Sequence, residues 1–290
     1  MLLKLLPSLI LFVTLSAFSG ASAKETIKQV SSMLVDKTGK QVEIKSKYFP
    51  VGHFSEGLIT CAKQIEYDFK FGYMDKDGKV IVEPRYSRAR PFSCGVGIVE
   101  DKIEMNWGAG EYSLVDKSGK VIKYFSREEV EKISDFSNGL AIVRRAPAGV
   151  KPHDIDRPES TLTPELIHEK GRWGVCDTKG KLTFFENIGK LHSFSEGLFL
   201  VEVDRKFGFA DVNGKLVIEP TFYWADSFKE GLAAVALKGK TGFIDKSGKM
   251  AFELKFDRVG SFSEGLAPFQ TGGRWGFVDT KGKVVIDPQF

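Results

Sequence analysis

The chain has 290 residues, 28% of them charged, and a formal net charge of +4 at pH 7. A balance this close to neutral, with charges that alternate in sign along the chain, does not indicate nucleic acid as a partner. Three cysteines without a Cys-x-x-Cys pair exclude a disulfide-rich scaffold, and four histidines at unrelated positions do not predict a metal site.

The first 23 residues predict a secretory signal peptide. Lys4 precedes the apolar run from Leu9 to Leu15, and Ala21-Ser22-Ala23 forms an A-x-A cleavage pattern. The apolar run is shorter than the ~20 residues that a membrane helix needs. We therefore expect cleavage after Ala23, export to the periplasm or the cell exterior, and no transmembrane segment in the mature chain.

From residue 36 onward, one short phrase returns seven times: an aspartate, two mostly polar residues, then Gly-Lys. Its copies begin at Asp36, Asp75, Asp116, Asp177, Asp211, Asp245 and Asp279. The last three steps between copies are 34 residues each. A fixed period of this length indicates one small structural unit that stacks on copies of itself.

Each copy of the phrase predicts the turn of a β-hairpin. Aspartate at the first position accepts hydrogen bonds from the backbone, and glycine at the fourth supplies the positive φ of a type I turn with a G1 bulge. The turn residues predicted in this way include Asp75, Gly78, Asp211, Gly214, Asp245, Gly248, Asp279 and Gly282. The lysine after each glycine favours a capped turn with an ion pair across the hairpin over a calcium site.

A second phrase, Phe-Ser-x-Gly, precedes runs such as Leu198 to Val201 that are apolar on both faces and therefore covered on both sides. Each unit is predicted to contain three short antiparallel strands, the second of which ends at Pro84, Pro220 or Pro288 because proline cannot donate to a ladder. The all-β units would stack as an open or superhelical array. A closed, propeller-like ring is the alternative.

The regular spacing is interrupted between Asp116 and Asp177 by residues 146–170, which are rich in proline, threonine and charge and predict a projecting loop. Before this insert, the acid-rich segment 127–132 predicts a solvated short helix, with Ser126 and Glu129 as its capping box. The chain thus divides into a signal peptide at 1–23 and a repeat domain at 24–290.

The cysteines fit this repeat. Cys61 and Cys176 stand where other units carry core residues, and Cys94 replaces a glutamate in a turn. Their redox state remains open, because one bridge among three thiols would leave one over.

Trp173-Gly174, Trp275-Gly276, the Gly-Phe-x-Asp-x-x-Gly-Lys hairpin and the Phe-Ser-Glu-Gly-Leu phrase together resemble the WG-repeat family of bacterial proteins. The resemblance covers nearly the whole chain after residue 23. It implies a repeat domain used for interaction, often in exported or surface proteins, and it carries no catalytic residue.

We expect a non-enzymatic protein that binds or scaffolds a protein, a peptide or an envelope glycan, without a cofactor or metal. The candidate ligand-binding residues are Trp224, Tyr223, Trp173 and Trp275; core packing is the alternative for the last two. The alternative functions are a hydrolase with its site near residues 146–170 or Met105 to Tyr112, and a purely structural envelope protein.

Overall fold

The structure is a computed structural model, and it describes residues 30–35, 41–66, 68–101, 111–145, 172–237 and 239–290. Every regular element in these ranges is a β-strand, so the predicted all-β class is confirmed. No helix in the described ranges has the length and apolar character that crossing a membrane requires. The predicted signal peptide, the turn at 36–40 and the 146–170 insert lie outside the described residues.

The described strands form one two-stranded hairpin and six four-stranded sheets, and all of the pairings are antiparallel. The hairpin consists of β1 (Val30–Val35) and β2 (Gln41–Ser46). Sheet I consists of β3 (Phe49–Ser55), β4 (Leu58–Ile65), β5 (Asp68–Asp75) and β6 (Val80–Tyr86). Sheet II consists of β7 (Arg88–Ala89), β8 (Val96–Asp101), β9 (Glu111–Asp116) and β10 (Val121–Phe125).

The remaining four sheets follow in chain order. Sheet III consists of β11 (Lys132–Ile133), β12 (Leu140–Arg144), β13 (Trp173–Asp177) and β14 (Leu182–Phe184). Sheet IV consists of β15 (Lys190–Ser195), β16 (Leu198–Val203), β17 (Lys206–Ala210) and β18 (Leu216–Phe222). Sheet V consists of β19 (Trp224–Ala225), β20 (Leu232–Leu237), β21 (Lys240–Asp245) and β22 (Met250–Phe256). Sheet VI consists of β23 (Arg258–Val259), β24 (Leu266–Thr271), β25 (Arg274–Asp279) and β26 (Val284–Ile286).

The chain divides into two compact units. Unit 1 comprises Met1–Val130, Asp135–Gly139 and Thr178–Gly180 and contains the β1–β2 hairpin with sheets I and II. Unit 2 comprises Glu131–Ser134, Leu140–Asp177 and Lys181–Phe290 and contains the strands of sheets III to VI. None of the described sheets closes into a barrel, because each keeps two edge strands.

Each sheet has four strands, one more than predicted. The extra strand is the first one, which has only two residues in sheets II, III, V and VI. In sheet V it is Trp224–Ala225, and a single residue, Tyr223, separates it from the last strand of sheet IV. The Tyr223 N–H already donates to the carbonyl of Ala236 in β20, at 3.0 Å. A two-residue strand carries no periodic pattern, so the sequence could not reveal it.

The prediction that Pro220 ends a strand is wrong, and so is the same prediction for Pro84. Strand β18 continues through Pro220 to Phe222. It is an edge strand, and its pairing with β17 shifts register between Ile218 and Phe222, so that the proline lies in a bulge. A proline in an edge bulge has no ladder partner to lose, which is why the strand tolerates it.

The hairpin turns follow from their sequence, as the turn at Asp245 shows. Its Oδ1 accepts hydrogen bonds from the backbone N–H groups of Ser247 and Lys249, at 2.8 and 3.1 Å. Gly248 has a φ of +82°, and its N–H donates to the Asp245 carbonyl at 2.9 Å. The same Oδ1 contacts occur at Asp75, Asp211 and Asp279. In this hairpin, which lies within the described residues, Lys249 donates its backbone N–H to Asp245 but does not form the predicted ion pair.

Replacing Gly248 by valine is expected to lower the free energy of unfolding by about 2 kcal/mol, because a β-branched residue resists positive φ. The added Cβ would also lie 3.2 Å from Cγ2 of Ile218 in the preceding sheet. Lys249→Ala, at an exposed position, should cost less than about 0.5 kcal/mol. Urea unfolding of the two variants measures the difference, and equal, small losses would contradict the assigned turn.

The core of unit 2 lies between consecutive sheets. Sheets IV and V share one apolar cluster, made by Leu200, Phe209, Ile218, Phe222, Ala225, Phe228, Ala233, Val235 and Ile244. Sheets V and VI share a second, which includes Phe243, Phe256, Val259 and Phe269. The predicted stacking of repeat units is therefore confirmed within unit 2, because no sheet covers both of its faces alone.

The Phe-Ser-x-Gly turns tie neighbouring sheets together. The Glu196 carboxylate accepts a hydrogen bond from the Gly231 N–H at 3.1 Å, and that of Glu230 accepts one from Gly265 at 2.9 Å. In unit 1, where Cys94 replaces the glutamate, its Sγ accepts the equivalent bond from Gly139 at 3.3 Å. The turn glutamates therefore serve as links between repeats.

The other two cysteines are buried, as predicted from their repeat positions: neither Cys61 nor Cys176 is exposed at all. Burial raises the pKa of the Cys61 thiol to about 12. All three cysteines are free thiols in the structure.

The acid-rich segment 127–132 is not a solvated helix, so that prediction is wrong. The capping-box hydrogen bonds are present, since the Ser126 N–H donates to Glu129 Oε2 at 3.1 Å and the Glu129 N–H donates to Ser126 Oγ at 3.3 Å. These hydrogen bonds close a turn and not the predicted helix. Arg127 is 3% exposed and Glu131 is 6% exposed, so two charged residues of this segment lie in the interior.

Glu131 is buried because two arginines of unit 2 bind its carboxylate. Arg144 Nη2 donates to Oε1 at 2.7 Å, and Arg172 Nη2 donates to Oε2 at 2.9 Å. Arg172 is itself 1% exposed. Short, charge-assisted hydrogen bonds of this kind are what allow a carboxylate to remain in a protein interior.

Candidate functional site

Four residues of unit 2 occupy the same register position on the first strands of sheets III to VI. We call them the first-strand row: Lys132, Lys190, Trp224 and Arg258. Each pairs with a second-strand residue, which pairs in turn with the residue before the glycine of the third strand. The row was missed in the sequence, although Lys190, Trp224 and Arg258 follow one another at steps of 34 residues.

Two of the predicted aromatic residues, which are consecutive in the chain, are exposed at this row. Tyr223 is 63% exposed and Trp224 is 40% exposed. Lys206, on β17, places its Nζ 3.0 Å from the centroid of the Tyr223 ring. This cation–π contact fixes the ring of an otherwise exposed side chain.

The other two aromatic candidates do not join this pair. Trp173 is half-buried and packs against the core between sheets III and IV, where Arg144 Cζ lies 5.5 Å from its ring centroid. Trp275 is half-buried in sheet VI, and its N–H donates to the Phe290 carbonyl at 2.8 Å. The four predicted ligand-binding residues are therefore spread over sheets III, V and VI and the link before sheet V.

Two of the three cations of the row face residues that carry no negative charge. Lys132 lies opposite Arg144, and Arg258 lies opposite Gln270. Lys190 lies opposite Glu202, but that carboxylate is hydrogen-bonded to Nε2 of His192 at 2.9 Å. Among the described residues, none of the three cations takes part in a salt bridge.

Electrostatics at Lys132 reflect the same excess of positive charge. Its partial burial and the charge of Arg144 lower the pKa of the ammonium group, against an opposing effect of Glu131. Arg172 and Lys190 lower this pKa further. An anion placed here would relieve that repulsion, so the row can attract negative charge while Trp224 and Tyr223 offer rings for stacking.

The equivalent base in unit 1 forms a salt bridge, which the cations of the row do not form within the described part of the chain. Arg88, the first residue of β7, has Nη1 3.8 Å from Oε2 of Glu100, its partner across the ladder. Glu100 also binds Arg90 at 3.1 Å. The positive row is thus a feature of unit 2.

Unit 1 instead contains a depression of about 270 Å³ between sheets I and II. Its lining is mostly apolar and consists of Val51, Gly52, Thr60, Phe71, Arg88, Ala89, Arg90 and Pro91. The sequence did not predict it, because residues from four strands and the segment after β7 meet there only after two sheets have packed.

Comparison with protein families gives one match. The family model described as "WG containing repeat" matches residues 71–102, 112–145, 207–240, 242–275 and 275–290. These ranges contain the hairpins of sheets I, II, IV, V and VI, and the third-strand glycine of each of these sheets except sheet II, where Ser113 takes its place. No curated protein matches the chain.

Several solved structures show weak similarity. The acylaminoacyl peptidase of Pyrococcus horikoshii aligns at a TM-score of 0.40 and 11% identity, covering 90% of this chain, which spans only 48% of that protein. Apo AztD from Citrobacter koseri aligns at 0.35 and 13%, covering 90% of this chain and 80% of that one. The β-propeller domain of the Trilobed protease from Pyrococcus furiosus aligns at 0.36 and 13%, covering 79% of each chain. Similarity at this level does not inform the function of this chain.

Proposed function

The chain belongs to the WG containing repeat family, and from this membership we propose that it is a non-enzymatic, exported module that binds a component of the cell envelope. Repeat architecture supports the proposal because stacked units present an extended surface instead of one enclosed cleft. Export is supported by the signal-peptide pattern of the first 23 residues.

The observation that carries the proposal is the exposed aromatic pair Tyr223 and Trp224. Large aromatic rings are costly to leave in water, and they are enriched where proteins bind partners. Lys206 holds the Tyr223 ring in place, so little side-chain freedom is lost on binding. A binding surface therefore explains why these rings are outside the core while their neighbours Phe222 and Ala225 are inside it.

Capture from envelope extract tests this proposal. The immobilised chain from residue 24 onward is expected to retain envelope material saturably, and Tyr223→Ser/Trp224→Ser is expected to weaken retention at least about tenfold, since aromatic anchors contribute ~2 kcal/mol or more. Protease and periodate treatment of the retained material distinguish protein from glycan. The mass of the secreted chain checks cleavage after Ala23.

The matched control is Phe69→Ser/Tyr124→Ser, which removes two aromatic residues of unit 1 that are 44% and 48% exposed. It should retain as much material as the unaltered chain. If the Tyr223→Ser/Trp224→Ser variant retains as much envelope material as the unaltered chain, the aromatic pair is not the binding site. Turnover of envelope material that disappears when one acid–base pair is mutated would contradict a non-enzymatic function, and no saturable retention at all would favour a structural protein.

A further inference from the structure

We infer that the first-strand row of unit 2 binds an anionic polysaccharide. In this assignment Lys132, Lys190 and Arg258 bind its carboxylate or phosphate groups, and Trp224 stacks on a sugar ring. The inference rests on the proposed function and names the chemical class of the partner.

The spacing of the row suits a polymer. It presents one residue per sheet at one register position, and stacked sheets lie about 10 Å apart. The order along unit 2 is two cations, the aromatic Trp224, then a third cation. A chain of charged sugar rings offers negative groups and flat ring faces in regular alternation, so it can meet both kinds of residue along its length.

The charge of the row suits an anion. Its cations lie opposite Arg144 and Gln270, or opposite Glu202, which His192 already engages. Lys132 and Arg258 are exposed, and exposed positive charges of this kind attract anions over about 10 Å at moderate salt. The equivalent Arg88 of unit 1 differs because it forms a salt bridge with Glu100.

The strand lengths favour a polysaccharide over an acidic peptide. A peptide that extends a sheet gains its affinity from main-chain hydrogen bonds along an exposed strand edge. Strands β11, β19 and β23 have only two residues each, and β15 alone, with six residues, offers a longer edge, so such a ladder could form at only one of the four sheets. Sugar rings need no strand edge, and the exposed rings of Tyr223 and Trp224 are available for stacking.

Three defined polymers test the inference on the chain from residue 24 onward. Polygalacturonate carries a carboxylate on each sugar ring, dextran is a neutral glycan, and poly-L-glutamate is an acidic peptide. Calorimetric titration is expected to detect polygalacturonate binding that weakens as salt is raised, with no binding of dextran and weaker binding of poly-L-glutamate.

Charge-neutralising variants locate the site. Lys132→Gln/Lys190→Gln/Arg258→Gln is expected to weaken polygalacturonate binding about tenfold or more. The matched control, Lys215→Gln/Lys249→Gln/Lys283→Gln, removes the same net charge from exposed hairpin positions of unit 2. It should change the affinity less than about twofold. Trp224→Leu should weaken binding without altering its salt dependence.

Thermal melting verifies that each variant is folded. If the triple variant melts early, Lys132→Gln/Arg258→Gln replaces it, because both side chains are exposed and their removal leaves the core intact.

Four results would overturn the inference. They are no polygalacturonate binding, equal loss in the row and hairpin variants, tighter binding of poly-L-glutamate with the same dependence on the row, and binding of dextran as tight as that of polygalacturonate. The proposed function is judged separately. If envelope material is still captured in a Tyr223- and Trp224-dependent manner while the row variant behaves normally, only this inference fails.

Discussion

Gly208→Ala is expected to lower the free energy of unfolding by about 3 kcal/mol, although it adds a single methyl group to a glycine with ordinary strand geometry. The new Cβ would lie 2.5 Å from the carbonyl oxygen of Ile218 and 2.8 Å from the nitrogen of Pro220. Both are backbone atoms of β18, which cannot rotate away as a side chain can. The edge strand would have to move off the sheet.

This glycine is the second residue of the Trp-Gly position of the repeat, and the bulge explains it. One residue, Gly208, faces the three residues of β18 between Ile218 and Phe222, so the extra chain folds down onto the strand where a side chain would be. The same close approach occurs at Gly72, Gly174 and Gly276. In sheets I, IV and VI, the glycine and the proline that it approaches are therefore two parts of one packing arrangement.

The matched control is Gly239→Ala, where nothing lies within 4 Å of an added Cβ but φ is +79°. Its cost should be about 1 kcal/mol, from backbone conformation alone. Thermal melting should place Gly208→Ala about 10 °C below the unaltered chain and Gly239→Ala only a few degrees below it. If both variants melt at the same temperature, crowding against β18 is not the reason for the glycine.

The hairpins could be predicted from the sequence because their signal is local. Every hydrogen bond of the Asp245 turn joins residues at most four positions apart, so residue type at each position decides the conformation. Because the phrase repeats along the chain, the same turn could be predicted for each of its copies. Stacking of sheets in unit 2 followed, because each unit is too small to bury its own apolar face.

The first strands and the row that they carry could not be predicted in the same way. Trp224 pairs with Ala236, twelve positions away, and a two-residue strand has no pattern of its own. Whether Trp224 or Trp173 is exposed depends on the sheet face that each occupies after packing. The 34-residue step from Lys190 to Trp224 to Arg258 was visible in the sequence, but it indicates a common register position only once the first strands are known.

The segment 127–132 was misjudged for a related reason. Its composition is that of a solvated surface, and composition was the only local information. The residues that bury Glu131 are Arg144 and Arg172, which lie 13 and 41 positions further along the chain. A buried ion pair is a property of partners that are distant in sequence, so charge density alone predicts the wrong environment.

Glu131→Ala is expected to lower the free energy of unfolding by about 3–5 kcal/mol, the usual cost of removing one partner of a buried ion pair. Arg144 and Arg172, which are 4% and 1% exposed, would both lose the carboxylate that accepts their hydrogen bonds at 2.7 and 2.9 Å. The melting temperature should fall by about 10 °C or more.

Glu131→Gln separates charge from shape, because it keeps the volume and one acceptor oxygen but removes the negative charge. The free energy of unfolding that Glu131→Gln loses should be most of what Glu131→Ala loses, since hydrogen bonds to charged groups are roughly twice as strong as neutral ones. Glu128→Gln, at an exposed position of the same segment, is the matched control and should change the free energy of unfolding by less than about 0.5 kcal/mol. A melting temperature of Glu131→Gln equal to that of Glu128→Gln would mean that packing, and not the charge between the two arginines, holds this part of unit 2 together.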